Sequence, residues 1–173
     1  STLAIMRLTD EGYFNLDHPL SEYLPMLKFS NKSNITLREM LTHQAGLPAW
    51  IPFYTKTINT STLRQRYYQP VQNDTFSLQV ARNLFIRKDY PDTMLMQIAE
   101  VPLGKKDYKY SDLGYYLIKA IIEKHTGQSY DHYLSEHFYK PMGLSRLCYK
   151  PLEQFPAEEI VPTEYDRTFR KQL

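Results

Sequence analysis

The stretch from Tyr108 to Gly127, YKYSDLGYYLIKAIIEKHTG, constrains this chain more than any other. Leu113, Tyr116, Leu117, Ala120 and Ile121 recur at the three-and-four spacing of one helical face, and Tyr115, Ile118 and Ile122 make a second face apolar. A helix apolar on two faces belongs in an interior. Ser111 is placed to cap its N-terminus and Gly127 to end it in a left-handed cap. Tyr110 and Asp112 are thereby set at the positive end of the helix dipole, where anionic forms are favoured. Two readings stay open on these residues alone: a phenol and a carboxylate placed for chemistry, or a packed tyrosine and a capping aspartate.

The rest of the chain can support such a core. Its 173 residues, 42% hydrophobic and 23% charged, suit one domain. A net charge of +2 with no block of lysine or arginine offers no electrostatic footprint for nucleic acid. Cys148 is the only cysteine, so neither an internal disulfide nor a cysteine-based metal site can form. His125, His132 and His137 stand seven and five residues apart and miss the i, i+4 pair that chelates from one helical face, so no metal is expected. The longest apolar runs are much shorter than the roughly 20 residues needed to cross a bilayer, so no membrane span is expected.

Taken in order, Ser1 to Gly12 reads as a helix apolar nearly all round, hence interior, and ended by Gly12. A turn, an extended piece and a short helical segment stopped by Pro25 follow. Thr36 and Glu39 form a capping box for a helix whose buried stripe is Leu37, Met40 and Leu41, and whose end is expected at Gly46 and Pro48. His43 then falls in its last turn, as a dipole-matched or core histidine with no chemistry assigned. Ala49 to Asp74, with Trp50, Phe53, Tyr54, Tyr67 and Tyr68, reads as loop with short helical pieces, either a lid or substrate wall or a surface excursion. Thr75 to Ile86 and Asp92 to Ala99 are helix candidates, and Pro102 with Gly104 breaks the chain after them. Asn-x-Ser/Thr triplets begin at Asn31, Asn34, Asn59 and Asn73. Ser129 caps a last amphipathic helix carrying Tyr130, Tyr133, Leu134, His137 and Phe138, which Pro141 and Gly143 end. The remainder, from Leu147 on, reads as short extended pieces between prolines.

Three of these segments, in this order and at these intervals, resemble one family: the serine beta-lactamase and penicillin-binding-protein-like hydrolases of the class C, esterase and D-peptidase branch. LAIMRLTDEGYFNLDHPLSEYLP looks like the helix after the family's nucleophile and the turn that follows it. NITLREMLTHQAGLP looks like its Ile-Thr-x-x-x-Leu-Leu-x-His-x-x-Gly-Leu segment. YKYSDLGYYLIKAIIEKHTGQSYDHYLSEHFYKPMGL looks like the region of its Tyr-x-Asn motif, the paired helices and the Pro-x-Gly-Leu stop. The likeness spans nearly the whole chain and is weakest between Ala49 and Lys106.

The resemblance implies a mainly α chain, the helical subdomain of an α+β beta-lactamase-like fold with most of its antiparallel sheet missing, and residues 1–173 as a single partial domain. It implies acyl transfer to water through a serine ester of an ester, peptide or beta-lactam-type substrate, with no cofactor. A serine in Ser-x-x-Lys would attack, and its lysine and the motif tyrosine would share the proton traffic. Of that set only Tyr110 stands here in family form. Tyr110 and Asp112 are accordingly the expected catalytic residues, and Ser111 and Trp50 the expected substrate-binding ones. By the family's pattern the nucleophile is expected before Ser1 and the last motif beyond Leu173, so that these residues alone would be inactive. Asp112 departs from the family's asparagine: a carboxylate accepts but cannot offer an amide N–H to a substrate carbonyl, which puts beta-lactam recognition in doubt. The resemblance further implies a location in the periplasm or outside the cell and a small-molecule or peptide substrate. A homo-oligomer through the apolar faces of Leu3 to Leu8 and Leu113 to Ile122 is also expected. Two other readings remain: a non-catalytic module binding cell-wall peptides or a partner protein, and a self-sufficient helical interaction protein.

Overall fold

In this computed structural model, which describes residues 1–58, 60–81 and 83–161 and only the backbone of Leu63, the chain forms two compact units, Ser1–Ile121 and Ile122–Leu173. The first begins with α1 (Thr2–Asp10), which buries Ala4, Ile5 and Leu8. Leu3 and Met6 lie more than half exposed, at 54% and 56%. The helix is therefore one-sided rather than interior all round, because positions 3 and 6 point away from the stripe that 4, 5 and 8 share. Gly12, at φ 80°, ends it as expected.

α2 (Leu20–Tyr23) passes at Pro25 into a single 3-10 turn, Pro25–Leu27. The next segment is tied to this one along its length: Leu20 N–H donates to Ile35 O at 2.7 Å and Arg38 N–H to Leu16 O at 2.8 Å. The Arg38 guanidinium grips both Asp17 oxygens, at 2.7 and 2.9 Å. α3 (Leu37–Leu41) opens with the expected capping box, Thr36 Oγ1 accepting from Glu39 N–H and Glu39 Oε2 from Thr36 N–H, each at 3.1 Å. Leu37 and Met40 are buried and Leu41 half-buried. The helix does not run on to Gly46. His43 adopts φ 57°, and the end closes with Gln44 N–H on Glu39 O and His43 N–H on Met40 O, the paired bonds of a Schellman stop.

α4 (Thr55–Ile58) and α5 (Ser61–Tyr67) are the short helical pieces expected between Ala49 and Asp74. The triplet that begins at Asn59 starts outside the described residues. Thr75 to Ile86 is not a helix. It carries β2 (Leu78–Ala81) and β3 (Leu84–Ile86), which with β1 (Tyr68–Gln69) make an antiparallel sheet in the order β1-β3-β2. Ile86 faces Tyr68 on one side and Leu78 on the other. The reversal is made at Asn83, φ 54°, a residue type that tolerates the left-handed region and so favours a turn over a helix here.

α6 (Tyr90–Glu100) matches the expected helix, with Pro91 in its first turn. Its C-terminal end is closed from inside the protein by Lys32, a fully buried ammonium that donates to Asn31 Oδ1 at 2.6 Å, Ala99 O at 3.2 Å and Val101 O. Burial holds the Lys32 pKa below the ordinary lysine value. Tyr90 hooks the Ala49 to Asp74 excursion by donating to Phe53 O at 2.7 Å, and burial pushes its phenol up to about 12. α7 (Leu113–Thr126) buries Leu113, Leu117, Ile118, Ile121 and Ile122, while Tyr116 is exposed. With Leu20, Leu27, Leu37 and Ile98, the buried residues Leu113, Leu117, Ile118 and Ile121 of α7 form the core of the first unit.

The second unit opens with the end of α7, stopped at Gly127 with φ 67° as expected. α8 (Tyr130–Leu134) continues as one π turn, Ser135–Tyr139, rather than as one regular helix. Tyr130 N–H donates to Glu123 Oε1 at 2.8 Å, and Tyr130 meets Tyr149 edge to face at 5.6 Å. The stretch expected to be extended holds two 3-10 turns instead, Pro151–Glu153 and Ala157–Glu159, each opened by a proline at or before its first residue. Residues 162–173 lie outside the described part. Among the described residues no helix is long and apolar enough to cross a membrane.

Candidate active site

Two segments far apart in sequence, 42–49 and 104–112, are laced together by backbone bonds. Gly104 N–H donates to Gly46 O at 2.7 Å, Lys109 N–H to His43 O at 2.9 Å, and Asp112 N–H to Ala49 O at 2.9 Å. Ser111 is the buried centre of the seam. Its hydroxyl donates to Pro48 O at 2.7 Å and accepts from Leu113 N–H at 3.2 Å, so Ser111 serves the first N–H of α7 from one residue before the N-cap position and not one a turn further in. Its N–H donates to His43 Nδ1 at 3.2 Å. Lys106 pairs with Glu39 at 2.6 Å, so the capping-box glutamate of α3 also anchors the loop that leads to Tyr110.

On this base stands Tyr110, 59% exposed at the mouth of α7. Its hydroxyl donates to Asp112 Oδ1 at 2.7 Å. The bond to Asp112 and the charge of that carboxylate hold the phenol above the ordinary tyrosine value, with smaller contributions from desolvation and from Tyr115. The pair therefore keeps its proton on Tyr110 and holds it more tightly than a free phenol does. Drawing Tyr110 toward the phenolate requires a cation to offset the carboxylate beside it.

Of the residues singled out from sequence, Tyr110 and Asp112 are joined by this bond, and Ser111 lies beneath them with its hydroxyl used within the protein. Trp50, 59% exposed, follows directly on Ala49, where the two segments meet at Asp112. His43, to which the sequence assigned no chemistry, stands beside them. It is not in the last turn of α3 but just past it, with its ring 4.7 Å from that of Tyr110 and 5.7 Å from that of Tyr115.

Comparison with known proteins places the chain in a family. Residues 1–168 match the family model described as Beta-lactamase. An N-acetylmuramyl-L-alanine amidase of Bacillus subtilis (strain 168) is 29% identical over 175 residues, which cover 95% of this chain and 34% of that protein. The octameric penicillin-binding protein homologue from Pyrococcus abyssi superposes with a TM-score of 0.57 at 23% identity, over 89% of this chain and 32% of that one. A D-stereospecific amidohydrolase from Streptomyces sp. does so with a TM-score of 0.55 at 24% identity, over 82% and 38%. The chain thus spans about a third of the length of the curated relative it matches. Its described residues carry part of a beta-lactamase-like fold, helices with a small antiparallel sheet, and the chain belongs to the beta-lactamase family.

Proposed function

We propose that these residues are the tyrosine-bearing part of a hydrolase that cleaves an ester or amide through an acyl-serine, and that the single domain they belong to runs across both compact units. The family match across both units supports the second point. The observation that carries the first is Tyr110, an exposed phenol donating its proton to Asp112 at 2.7 Å on a seam of backbone bonds. In this reading the serine of a Ser-x-x-Lys segment adds to the substrate carbonyl. Its proton passes through the lysine and Tyr110 to the departing alkoxide or amine, and water then releases the acid by the reverse route. Asp112 orients the lysine by charge, and the lysine ammonium offsets Asp112 so that Tyr110 can alternate between acid and base. Trp50 forms a wall of the substrate site and Ser111 supports it from below.

Amidase and amidohydrolase relatives support an amide or peptide of cell-wall type as substrate, and with it action in the periplasm or outside the cell. Asp112 favours such substrates over beta-lactams, since it offers no N–H to a carbonyl. No Ser-x-x-Lys occurs within the 173 residues, so they are proposed to be inactive by themselves. Incubation with a chromogenic ester and a fluorescent penicillin tests this. The reading expects neither turnover nor a covalent adduct by mass spectrometry from these residues alone, and an acyl-serine once they are joined to a Ser-x-x-Lys segment. Turnover or an adduct from the residues alone contradicts the proposed inactivity. A joined protein that binds peptide without acylation leaves the non-catalytic binding module as the better reading.

A further inference from the structure

We propose that His43 is a positioning residue for Tyr110, fixing where the phenol stands by accepting the Ser111 N–H at Nδ1 and lying against the Tyr110 ring. The case begins with the backbone. His43 occupies the left-handed position of the α3 stop at φ 57°, where glycine or asparagine is the usual choice and a β-carbon costs about 1 kcal/mol. Histidine's ring is used there. With the chain turned left-handed, its carbonyl and its imidazole reach the same distant segment: His43 O takes Lys109 N–H at 2.9 Å and His43 Nδ1 takes Ser111 N–H at 3.2 Å. The residue between those two donors is Tyr110, whose backbone is thus held on both sides by one residue 68 positions away from Ser111.

The side chain is fixed in the same way. The His43 ring lies 4.7 Å from the Tyr110 ring at a tilt of 40°, and Asp112 receives the hydroxyl. Under His43, between Met40, Ala45, Leu47, Ser111 and Gly114, only about 10 Å³ of space remains, at the lower limit for one water. The imidazole therefore has little room to sink away from Tyr110. Because Nδ1 accepts, the ring is neutral with its proton on Nε2. The catalytic meaning of this device rests on the reading of Tyr110 given above, whereas the positioning itself needs no reaction and is measured without one.

The experiment is nuclear magnetic resonance on the chain itself, with labelled histidine and tyrosine. In the wild-type protein a scalar coupling across Ser111 N–H···Nδ1 and the nitrogen shifts of an Nε2–H imidazole are expected. Three variants separate the roles. His43→Asn tolerates the left-handed backbone and puts its amide oxygen where Nδ1 stands. His43→Gln puts its amide where Nε2 stands, and His43→Gly keeps the backbone while removing both acceptor and ring. Tyr110 is expected to titrate above the ordinary value of 10.0 in wild type and His43→Asn, and to fall back toward it in His43→Gln and His43→Gly. The Ser111 amide should exchange about tenfold faster in the last two than in the first two. Absence of the coupling in wild type overturns the proposal, even if His43→Gln and His43→Gly do not fold. Failure of asparagine to restore the Tyr110 titration, or an unmoved titration in His43→Gly, overturns it as well. Retention of these signals in a joined protein whose Tyr110→Phe variant turns over normally refutes the proton-carrying reading and leaves the positioning intact.

Discussion

Gly46 and Gly104 meet backbone to backbone: Gly104 N–H donates to Gly46 O at 2.7 Å, and a β-carbon on Gly46 would stand 2.7 Å from Gly104 O. Gly46 is also left-handed, at φ 73°. Gly46→Ala is therefore expected to combine backbone strain with a clash against main chain, and to cost about 2 kcal/mol or more in denaturant unfolding. Gly12→Ala is the control. Its φ is 80° but nothing lies within 4 Å of the added carbon, so about 1 kcal/mol is expected. Equal losses in the two variants contradict the close approach.

Lys32 supplies the second stability test. Its buried ammonium serves Ala99 O and Val101 O beyond the reach of any intrahelical donor, at the negative end of α6. Lys32→Met fits the same space and removes the ammonium, leaving the half-buried Ala99 O without its lysine donor and Val101 O with only the long Asn31 Nδ2 contact at 3.4 Å. A loss of about 2–4 kcal/mol is expected in chemical denaturation. A loss below about 0.5 kcal/mol shows that the ammonium is not needed there.

Much of the frame was legible in the sequence because it rests on local chemistry. The Thr36 and Glu39 capping box, the Gly127 stop and the buried stripe of α7 each follow from residues within one or two turns. Tyr110 and Asp112 stand two residues apart at a helix mouth, but their local sequence left chemistry and packing both open, and it was the resemblance that singled them out; the bond between them is what the structure adds. What stayed hidden depends on distant partners. His43 matters through bonds to Lys109 and Ser111, and its own neighbourhood suggested only a helix end. Lys32 looks like any surface lysine until Ala99 and Val101 are brought to it. Thr75 to Ile86 misled because its apolar residues suit either period, and the strand pairing with Tyr68 and Gln69 decided between them.

The Tyr110 to Asp112 bond makes a pH prediction. The Tyr110 pKa is raised in the folded protein, so what the bond contributes is present below about pH 10 and lost as pH rises through the folded value. Asp112→Asn removes the charge and should bring the ionisation of Tyr110, followed by ultraviolet difference absorbance, back toward 10.0. An unchanged titration contradicts the bond.

Association should involve α1 and not α7. Of the apolar α7 residues expected to be bare only Tyr116 is exposed, at 39%, whereas Leu3 and Met6 lie more than half exposed on the outer side of α1. Sedimentation at about micromolar concentration is expected to show a dimer or larger, reduced to monomer by Leu3→Glu with Met6→Glu. A wild-type protein that sediments only as monomer contradicts this.

The most direct test of the account is Tyr110→Phe in a protein that joins these residues to a Ser-x-x-Lys serine. The exchange removes one hydroxyl from a half-exposed ring and leaves the His43 contact in place, so stability and substrate binding should barely move. Loss of the proton carrier should lower turnover by about a hundredfold to ten-thousandfold. Parental turnover in Tyr110→Phe, from a protein shown to acylate its serine, would mean that Tyr110 is a packed tyrosine and nothing more.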